Sequence, residues 1–222
     1  MSTTRMAPVH IVGAGGLGRE TLDALLAAGH RTTTLVLVDD HLSTAEVHGV
    51  PVRRPADVAG GWFVVAVADP AVRRSLAARM LDRGLIPTSV VHPAATLAHD
   101  VEVPNGCIVL ANAFVSTGVR LDAHSQVQYN ATVGHDTVLN EFVTVLPGAN
   151  IAGNVVLHRD VTVGSNAAVL QGLQVGSGTF VGAGSVVTKD QPAGEVVVGV
   201  PARPMPARSG AARAVTRTNT LR

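Results

Sequence analysis

The sequence predicts an α/β N-terminal domain of the half-Rossmann-like βαβ type, followed by a solenoid of short parallel strands. Two observations predict this order. From Val91 to Val187, every sixth residue is Val, Leu or Ile, without a slip or an insertion. Before this array, a short apolar run ends in a glycine-rich loop that leads into a segment of helical spacing. We therefore expect domains at residues 1–88 and 89–206, and a C-terminal tail at 207–222.

The six-residue period decides the architecture of the second domain. It fits neither the 3.6-residue repeat of a helix nor the alternation of a long strand. It fits a solenoid in which each six-residue unit forms one flank of a coil and points one aliphatic side chain inward. Two residues before each aliphatic marker the side chain is mostly small or β-branched, as at Ala113, Ala131 and Val143. An ordinary β-sandwich is the alternative, and the unbroken register argues against it.

The glycine loop of the first domain, residues 13–18 (GAGGLG), lies between a predicted strand at 9–12 and a predicted helix that ends near Ala28. Such a loop presents the free N–H groups and the dipole of a helix N-terminus to a phosphate. A second predicted strand ends at Asp39 and Asp40, about where an acidic residue contacts a ribose or base in dinucleotide-binding folds.

NAD binding is the obvious interpretation of this loop, but the domain is short for it. Only one further strand, at 62–68, and one further helix, at 70–83, are evident. Half a Rossmann unit suits one nucleotide with a diphosphate. A glycine turn that merely packs a helix against a sheet remains the alternative.

Composition excludes several classes of function. The formal net charge is +1, which does not indicate binding to nucleic acid or to a membrane surface. The nine histidines show no metal-ligand spacing, so we expect no metal. The single cysteine, Cys107, falls on an inward corner of the array and is consistent with a reducing compartment. Because no signal peptide and no stretch of membrane-spanning length is evident, we expect a cytoplasmic protein.

The solenoid resembles a known family. The repeats Val163-Gly-Ser-Asn-Ala-Ala and Val181-Gly-Ala-Gly-Ser-Val, and the closing segment Val198-Gly-Val-Pro-Ala-Arg, are similar to those of the hexapeptide-repeat acyltransferases. The resemblance implies a left-handed parallel β-helix with three hexapeptides per coil and about five coils. It also implies acetyl-CoA as the co-substrate and a homotrimer with active sites between neighbouring solenoids.

The glycine loop, the Asp39–Asp40 pair and Ala68-Asp69 with Arg73 narrow the resemblance to one branch. That branch holds the sialic acid O-acetyltransferase-like proteins and the N-acetyltransferases of nucleotide-linked 4-amino sugars. In its sugar-nucleotide members the N-terminal domain holds the nucleotide. The resemblance therefore implies these substrate-binding residues: Gly13, Gly15, Gly16, Gly18, Asp39, Asp40, Asp69 and Arg73.

The candidate base is His135, which lies in the Gly134-His135-Asp136 motif at an outward-facing position of the array. Amine acetylation needs a base for the amine proton, and a carboxylate beside a histidine can orient its ring. The motif matches the catalytic motif of the family, whereas the other histidines of the array lack this context. A surface His–Asp pair on a solvated coil is the alternative.

The resemblance also implies contacts to acetyl-CoA. Gly153 matches the glycine whose backbone N–H faces the thioester carbonyl, and Thr144 stands where many relatives carry a second histidine near the acetyl group. CoA itself is expected on the last coils and the closing segment, at Asn166, Gly184, Ser185, Val200, Pro201 and Arg203.

These observations predict an acetyl-CoA-dependent N-acetyltransferase of a nucleotide-linked amino sugar. Two alternatives stay open. One is an O-acetyltransferase of a sialic acid-like sugar or a natural-product glycoside. The other is a non-catalytic solenoid that serves as a scaffold or as a nucleotide-sensing protein.

Overall fold

The structure is a computed structural model that describes residues 7–41 and 44–205. The predicted tail at 207–222 lies outside these ranges. The N-terminal domain contains one mixed sheet and two helices. Its elements in chain order are β1 (Val9–Val12), α1 (Gly16–Ala27), β2 (Leu35–Val38), β3 (Glu46–Val47), β4 (Val50–Arg53), β5 (Trp62–Val65), α2 (Pro70–Leu81) and β6 (Ile86–Pro87), with 3-10 turns at Thr32–Thr34 and Pro55–Asp57.

The sheet has the order β3-β4-β2-β1-β5-β6, and all its pairings are parallel except that of β3 with β4. The two helices pack on different faces of the sheet. Leu22 and Leu25 of α1 pack in one apolar cluster of the sheet, and Ala77 and Met80 of α2 pack in the other. Because β2 and β5 lie on opposite sides of β1, the chain reverses direction across the sheet at β1. Open α/β sheets bind ligands at such a point, beyond the carboxyl ends of the strands.

The prediction of only one further strand after Asp40 was wrong. The structure has three more short strands, β3, β4 and β6. The strands β3 and β6 contain two residues each, and β4 contains Pro51, which reduces its strand propensity. Such strands exist because a neighbouring strand binds them, and local sequence carries almost no signal for that pairing.

The solenoid has three faces of two- and three-residue strands. The first face contains β7 (Val90–Val91), β9 (Ile108–Val109), β12 (Gln126–Val127), β15 (Thr144–Val145), β18 (Thr162–Val163), β21 (Phe180–Val181), β23 (Val196–Val198) and β24 (Arg203–Pro204). The second face contains β8 (Thr96–Leu97), β10 (Phe114–Val115), β13 (Thr132–Val133), β16 (Asn150–Ile151), β19 (Ala168–Val169) and β22 (Val186–Val187). The third face contains β11 (Arg120–Leu121), β14 (Val138–Leu139), β17 (Val156–Leu157) and β20 (Gln174–Val175).

Up to β22, strands on one face pair in parallel with a step of 18 residues, as Val115 with Val133 and Val133 with Ile151. One coil is therefore three hexapeptides. The six strands of the second face mark five such steps, in agreement with the expected five coils. From Val109 to Val187 every aliphatic marker is at most 3% exposed, whereas Val91, Leu97 and Val103 at the open end are only partly buried.

The turns between faces form three edges, which we name after one residue each. The His135 edge joins the second and third faces and comprises residues 98–101, 116–119, 134–137, 152–155 and 170–173. The Phe142 edge joins the third and first faces (104–107, 122–125, 140–143, 158–161 and 176–179). The Asn166 edge joins the first and second faces (92–95, 110–113, 128–131, 146–149, 164–167 and 182–185).

The N-terminal domain packs against the first face and the Phe142 edge. Val90 and Ile108 of the first face belong to the same apolar cluster as Leu22 and Leu25 of α1. Gln126 adds polar contacts, because its side-chain amide donates to the carbonyl oxygens of Val65 and Val67 at 3.1 and 3.3 Å. The two domains thus share a continuous core.

Arg73 is the central polar contact between the domains. It lies on α2 and is 0% exposed. One guanidinium nitrogen donates to the carbonyl oxygens of Val67 and Ala68 at 2.8 and 2.9 Å. The other donates to the carbonyl oxygen of Phe142 and, at 2.9 Å, to the hydroxyl of Thr144. Burial lowers the pKa of Arg73 to about 10, so that it remains a cation at neutral pH.

We predict that Arg73→Met lowers the free energy of unfolding by roughly 3 kcal/mol, because several buried acceptors lose their donor at once. Arg74→Met is the matched control. Arg74 pairs with Asp160 through a side chain that is 44% exposed, and an exposed ion pair contributes about 1 kcal/mol or less. Urea denaturation of both variants measures the difference, and equal destabilisation would contradict the role given to Arg73.

Buried histidines make stability depend on pH. His124 on the Phe142 edge is 9% exposed and stacks on the Phe142 ring at 4.8 Å. Burial, and then the Arg73 cation, lower the pKa of His124 below its ordinary value. The folded chain therefore keeps His124 neutral, while the unfolded chain takes up a proton as the pH falls below about 6.5. This contribution to stability is complete above that pH and is lost as the pH falls toward the lowered pKa.

We predict that the free energy of unfolding decreases from pH 7.5 to pH 5.5, and that His124→Asn makes this decrease smaller. His10 has a pKa lowered by burial as well, so part of the decrease remains. Asn suits position 124 because the backbone there has φ 61°. His48→Asn is the control, since His48 is exposed and has φ 48°. A pH dependence that His124→Asn leaves unchanged would refute this assignment.

Within the described ranges, no helix is long and apolar enough to cross a membrane.

Candidate active site

The His135 edge places a histidine and a carboxylate side by side. Nδ1 of His135 lies 2.8 Å from Oδ2 of Asp136. Because the carboxylate accepts, Nδ1 carries the proton and the lone pair belongs to Nε2. Asp136 has φ 57°, and this left-handed turn directs its side chain back toward the histidine. Both side chains are more than half exposed, at 51% and 60%. The pair therefore lies on the surface of the chain, where a second molecule can reach Nε2.

Gly153 lies one coil beyond His135 in the same column of the edge. A Cβ added at Gly153 would lie 2.5 Å from Nε2 of His135. The missing side chain therefore provides the space that the imidazole occupies. Within the described residues, the backbone N–H of Gly153 has no hydrogen-bond acceptor. The same is true of the N–H groups of Thr117 and His135, which occupy the equivalent positions of the edge. This N–H is a donor beside the candidate base.

The glycine loop and the two acidic residues line a cavity in the N-terminal domain. Its volume is about 560 Å³, and it opens beyond the carboxyl ends of β1, β2 and β5. Gly13, Asp39 and Asp40 line it, together with Arg79 of α2. Gly15, Gly16 and Gly18 form the start of α1, whose first turn contains no acidic residue. The N-terminus of α1 is thus electrostatically suited to an anion.

The carboxylates of this region have separate partners. Asp39 accepts from the backbone N–H of Ala14 and of His41, at 2.9 and 2.8 Å, and so fastens the glycine loop to the end of β2. Asp40 pairs with Arg79 at 3.0 Å. Asp69 caps α2 by accepting from the N–H of Val72.

A second cavity of about 530 Å³ lies between the N-terminus of α2 and the first face of the solenoid. Asp69, Arg74, Thr162 and Phe180 are among its lining residues. Ala71 lines both cavities, so the two are adjacent around the start of α2. No sequence pattern indicated this cavity, because its walls come from both domains.

The residues expected to bind CoA collect at the C-terminal end of the solenoid. Asn166, Gly184 and Ser185 lie on the Asn166 edge. The hydroxyl of Ser185 accepts from the N–H of Gly199 at 3.0 Å, which ties the closing segment to the last coil. In that segment Val200 is 72% exposed, Val200–Pro201 is a cis peptide bond, and Arg203 is exposed.

Two predicted site residues are buried between the domains. Thr144 is 0% exposed, and its hydroxyl donates to the carbonyl oxygen of Ala68 at 2.9 Å. Arg73 is equally buried and binds Thr144. Within this chain both side chains are engaged in contacts between the two domains, and their expected contacts to the acetyl group and to the substrate stay predictions. Both hold the N-terminal domain on the first face, a contact that becomes apparent only when the two domains are packed together.

Three further residues were not predicted. Arg79 pairs with Asp40 in the lining of the first cavity, and no motif marks it. Asp100 and Thr117 form a hydrogen-bonded group beneath His135 on the same edge. Asp100 lies 36 residues before Asp136, and Thr117 lies 18 residues before His135. Because equivalent positions of successive coils stack, this spacing could have indicated that both residues lie beneath the motif.

Comparison with known proteins places this chain. Residues 8–80 match the family described as the PglD N-terminal domain. The chain is 32% identical to GDP-perosamine N-acetyltransferase of Escherichia coli O157:H7 over 209 residues. The aligned region covers 88% of this chain and 95% of that protein. The chain belongs to the hexapeptide-repeat nucleotide-amino-sugar N-acetyltransferases.

Solved structures agree with this family. The acetyltransferase domain of PglB from Neisseria gonorrhoeae superposes with a TM-score of 0.81 at 31% identity, covering 90% of this chain and 100% of that one. That domain has also been solved with acetyl coenzyme A. A His-to-Asn mutant of perosamine N-acetyltransferase from Caulobacter crescentus, in complex with CoA and GDP-perosamine, gives a TM-score of 0.82 at 28% identity, covering 89% and 96%. The expected fold, with its left-handed β-helix, is confirmed.

We predict that Gly153→Ala in this acetyltransferase keeps the fold but lowers turnover about 100-fold, since the new methyl group displaces the His135 ring and a misplacement of about 1 Å is sufficient for such a loss. Gly194→Ala is the control for backbone strain alone, because Gly194 has φ +75° and a Cβ there meets nothing within 4 Å. Initial rates and melting temperatures of both variants measure the effect. Wild-type turnover in Gly153→Ala would show that the position of the ring does not matter.

Proposed function

We propose that this acetyltransferase transfers the acetyl group of acetyl-CoA to the amine of a nucleotide-linked amino sugar. The observation that carries the proposal is the His135–Asp136 pair, whose free Nε2 projects over Gly153 on an exposed edge. Relatives support the substrates. One relative, which is similar over most of this chain, is a GDP-perosamine N-acetyltransferase. Related structures hold acetyl-CoA, CoA or GDP-perosamine.

In the proposed mechanism, His135, Asp136 and Gly153 carry out the steps of acetyl transfer. The amine nitrogen attacks the thioester carbonyl carbon, and Nε2 of His135 takes the amine proton. Asp136 accepts from Nδ1 and stabilises the imidazolium that forms. In this proposal the N–H of Gly153 donates to the carbonyl oxygen as negative charge develops there. When the carbon–sulfur bond breaks, the CoA thiolate takes the proton from the imidazolium, and the products are an amide and CoA.

The acceptor is assigned to the N-terminal domain. In this proposal the diphosphate lies at the N-terminus of α1, where glycines and free N–H groups suit an anion. The nucleoside occupies the first cavity beside Asp39 and Asp40. The sugar extends past Ala71 toward the second cavity.

We further propose that the enzyme is a homotrimer, because the parts of the proposed site lie on different faces and edges of a single chain. His135 lies on the edge opposite the first face. The first cavity lies in the N-terminal domain, and the second lies between that domain and the first face. The CoA-binding candidates lie on the Asn166 edge and beyond it. A neighbouring copy can bring a His135 edge to another chain's acceptor and cofactor. A cytoplasmic location, where acetyl-CoA and nucleotide sugars occur, stays a prediction.

We predict that the wild-type enzyme acetylates GDP-perosamine with release of the CoA thiol, and that His135→Asn reduces turnover at least 1,000-fold while it still binds acetyl-CoA. The measurements are thiol release, identification of the amide by mass spectrometry, and melting temperature with acetyl-CoA, GDP, UDP, dTDP and NAD, because a ligand of the folded state raises the melting temperature. His158→Asn, another histidine of the array, is the control.

Each outcome has a meaning. A shift with acetyl-CoA and one nucleoside diphosphate supports the proposal and names the nucleotide. A shift with acetyl-CoA alone, with acetylation of a hydroxyl sugar, favours the O-acetyltransferase alternative. Binding without turnover of any acceptor, or no binding of acetyl-CoA, favours a scaffold or a nucleotide-sensing protein. Normal turnover in His135→Asn would overturn the mechanism.

A further inference from the structure

The His135 edge has a regular hydrogen-bond ladder. The third residue of each turn donates its N–H to the carbonyl oxygen of the second residue one coil earlier. Asn154 donates to His135 at 2.8 Å, and Asp136 donates to Thr117 at 3.1 Å. The ladder fixes each turn on the turn beneath it. The orientation of the His135 turn therefore depends on the turn of Thr117 and Gly118.

The ladder is interrupted at that supporting turn. The N–H of Gly118 donates to Oδ2 of Asp100 at 2.8 Å, in place of the backbone carbonyl that the rule predicts. The same carboxylate oxygen accepts from the hydroxyl of Thr117 at 2.8 Å. These two hydrogen bonds lower the pKa of Asp100 below its ordinary value, and the bond from Gly118 has the larger effect. A side chain of the first coil thus takes over the role of the backbone.

The interruption is directly connected to the base. Oδ1 of Asp136 lies against Gly118, since a Cβ added there would be 2.5 Å away. Gly118 itself has φ +70°, a left-handed conformation that glycine adopts without steric cost. The contacts run from Asp100 through Gly118 to Asp136, and from Asp136 to Nδ1 of His135.

We infer that Asp100 is a positioning residue for acetyl transfer, which holds the turn of Thr117 and Gly118 so that Asp136 can orient His135. This inference rests on the proposed role of His135 as the base. The carboxylate is exposed, so its contribution is one of geometry rather than of charge. An uncharged acceptor of the same shape should therefore replace it.

The test compares Asp100→Ala, Asp100→Asn and Asp190→Ala in the full-length enzyme. Asp100→Ala removes the acceptor for both bonds, and we expect kcat to fall about 10-fold with unchanged KM for acetyl-CoA. Asp100→Asn keeps an oxygen acceptor and should retain at least half of the wild-type kcat. Asp190→Ala is the matched control, because Asp190 accepts from the N–H of Gln174 at 2.8 Å, three coils beyond Asp136. It should leave kcat unchanged.

The outcomes separate this inference from the proposed function. Normal kcat in Asp100→Ala, combined with an inactive His135→Asn, would overturn the inference alone. Equal losses in Asp100→Ala and Asp100→Asn would also overturn it, because a positioning oxygen would then be irrelevant. Turnover in His135→Asn would instead remove the proposed base. Melting temperatures of all variants ensure that kcat is compared between folded proteins.

Discussion

The stacking of equivalent positions every 18 residues is the constraint on which this structure depends. It aligns the aliphatic markers into an inner column, and it also aligns the outer residues of each edge. His135 acquires its neighbours in this way, with Thr117 one coil before it and Gly153 one coil after it. The same backbone pairing that buries the core thus places Thr117 and Gly153 beside the candidate base, and no loop insertion is needed for that arrangement.

The union of the two domains depends on a different kind of contact. Apolar residues of α1 and of the first face make the area of the interface, but such surfaces have little directional preference. Arg73 supplies direction, because its guanidinium binds carbonyl oxygens of its own domain and of the Phe142 edge. A buried cation with acceptors on both sides fixes how the N-terminal domain lies on the solenoid.

Much of this structure could be predicted from the sequence, and the reason is its periodicity. The register from Val91 to Val187 gave the solenoid and the outward position of His135, since each position is determined by local spacing. The glycine loop likewise predicted the turn between β1 and α1. The burial of Thr144 and Arg73 could not be predicted, because it follows from packing between elements about 70 residues apart. Strands as short as β3 and β6 were missed for the same reason, since only their partners define them.

The coil count has a consequence beyond stability. Neighbouring coils lie about 4.8 Å apart along the solenoid axis. Between the turn of His135 and the equivalent turn at Lys189 there are three coils, and hence about 14 Å. Insertion or deletion of one 18-residue coil would change this separation by about 4.8 Å without rotating either turn. The repeat number therefore sets how far the His135 turn lies from the C-terminal end of the solenoid, in steps of one coil.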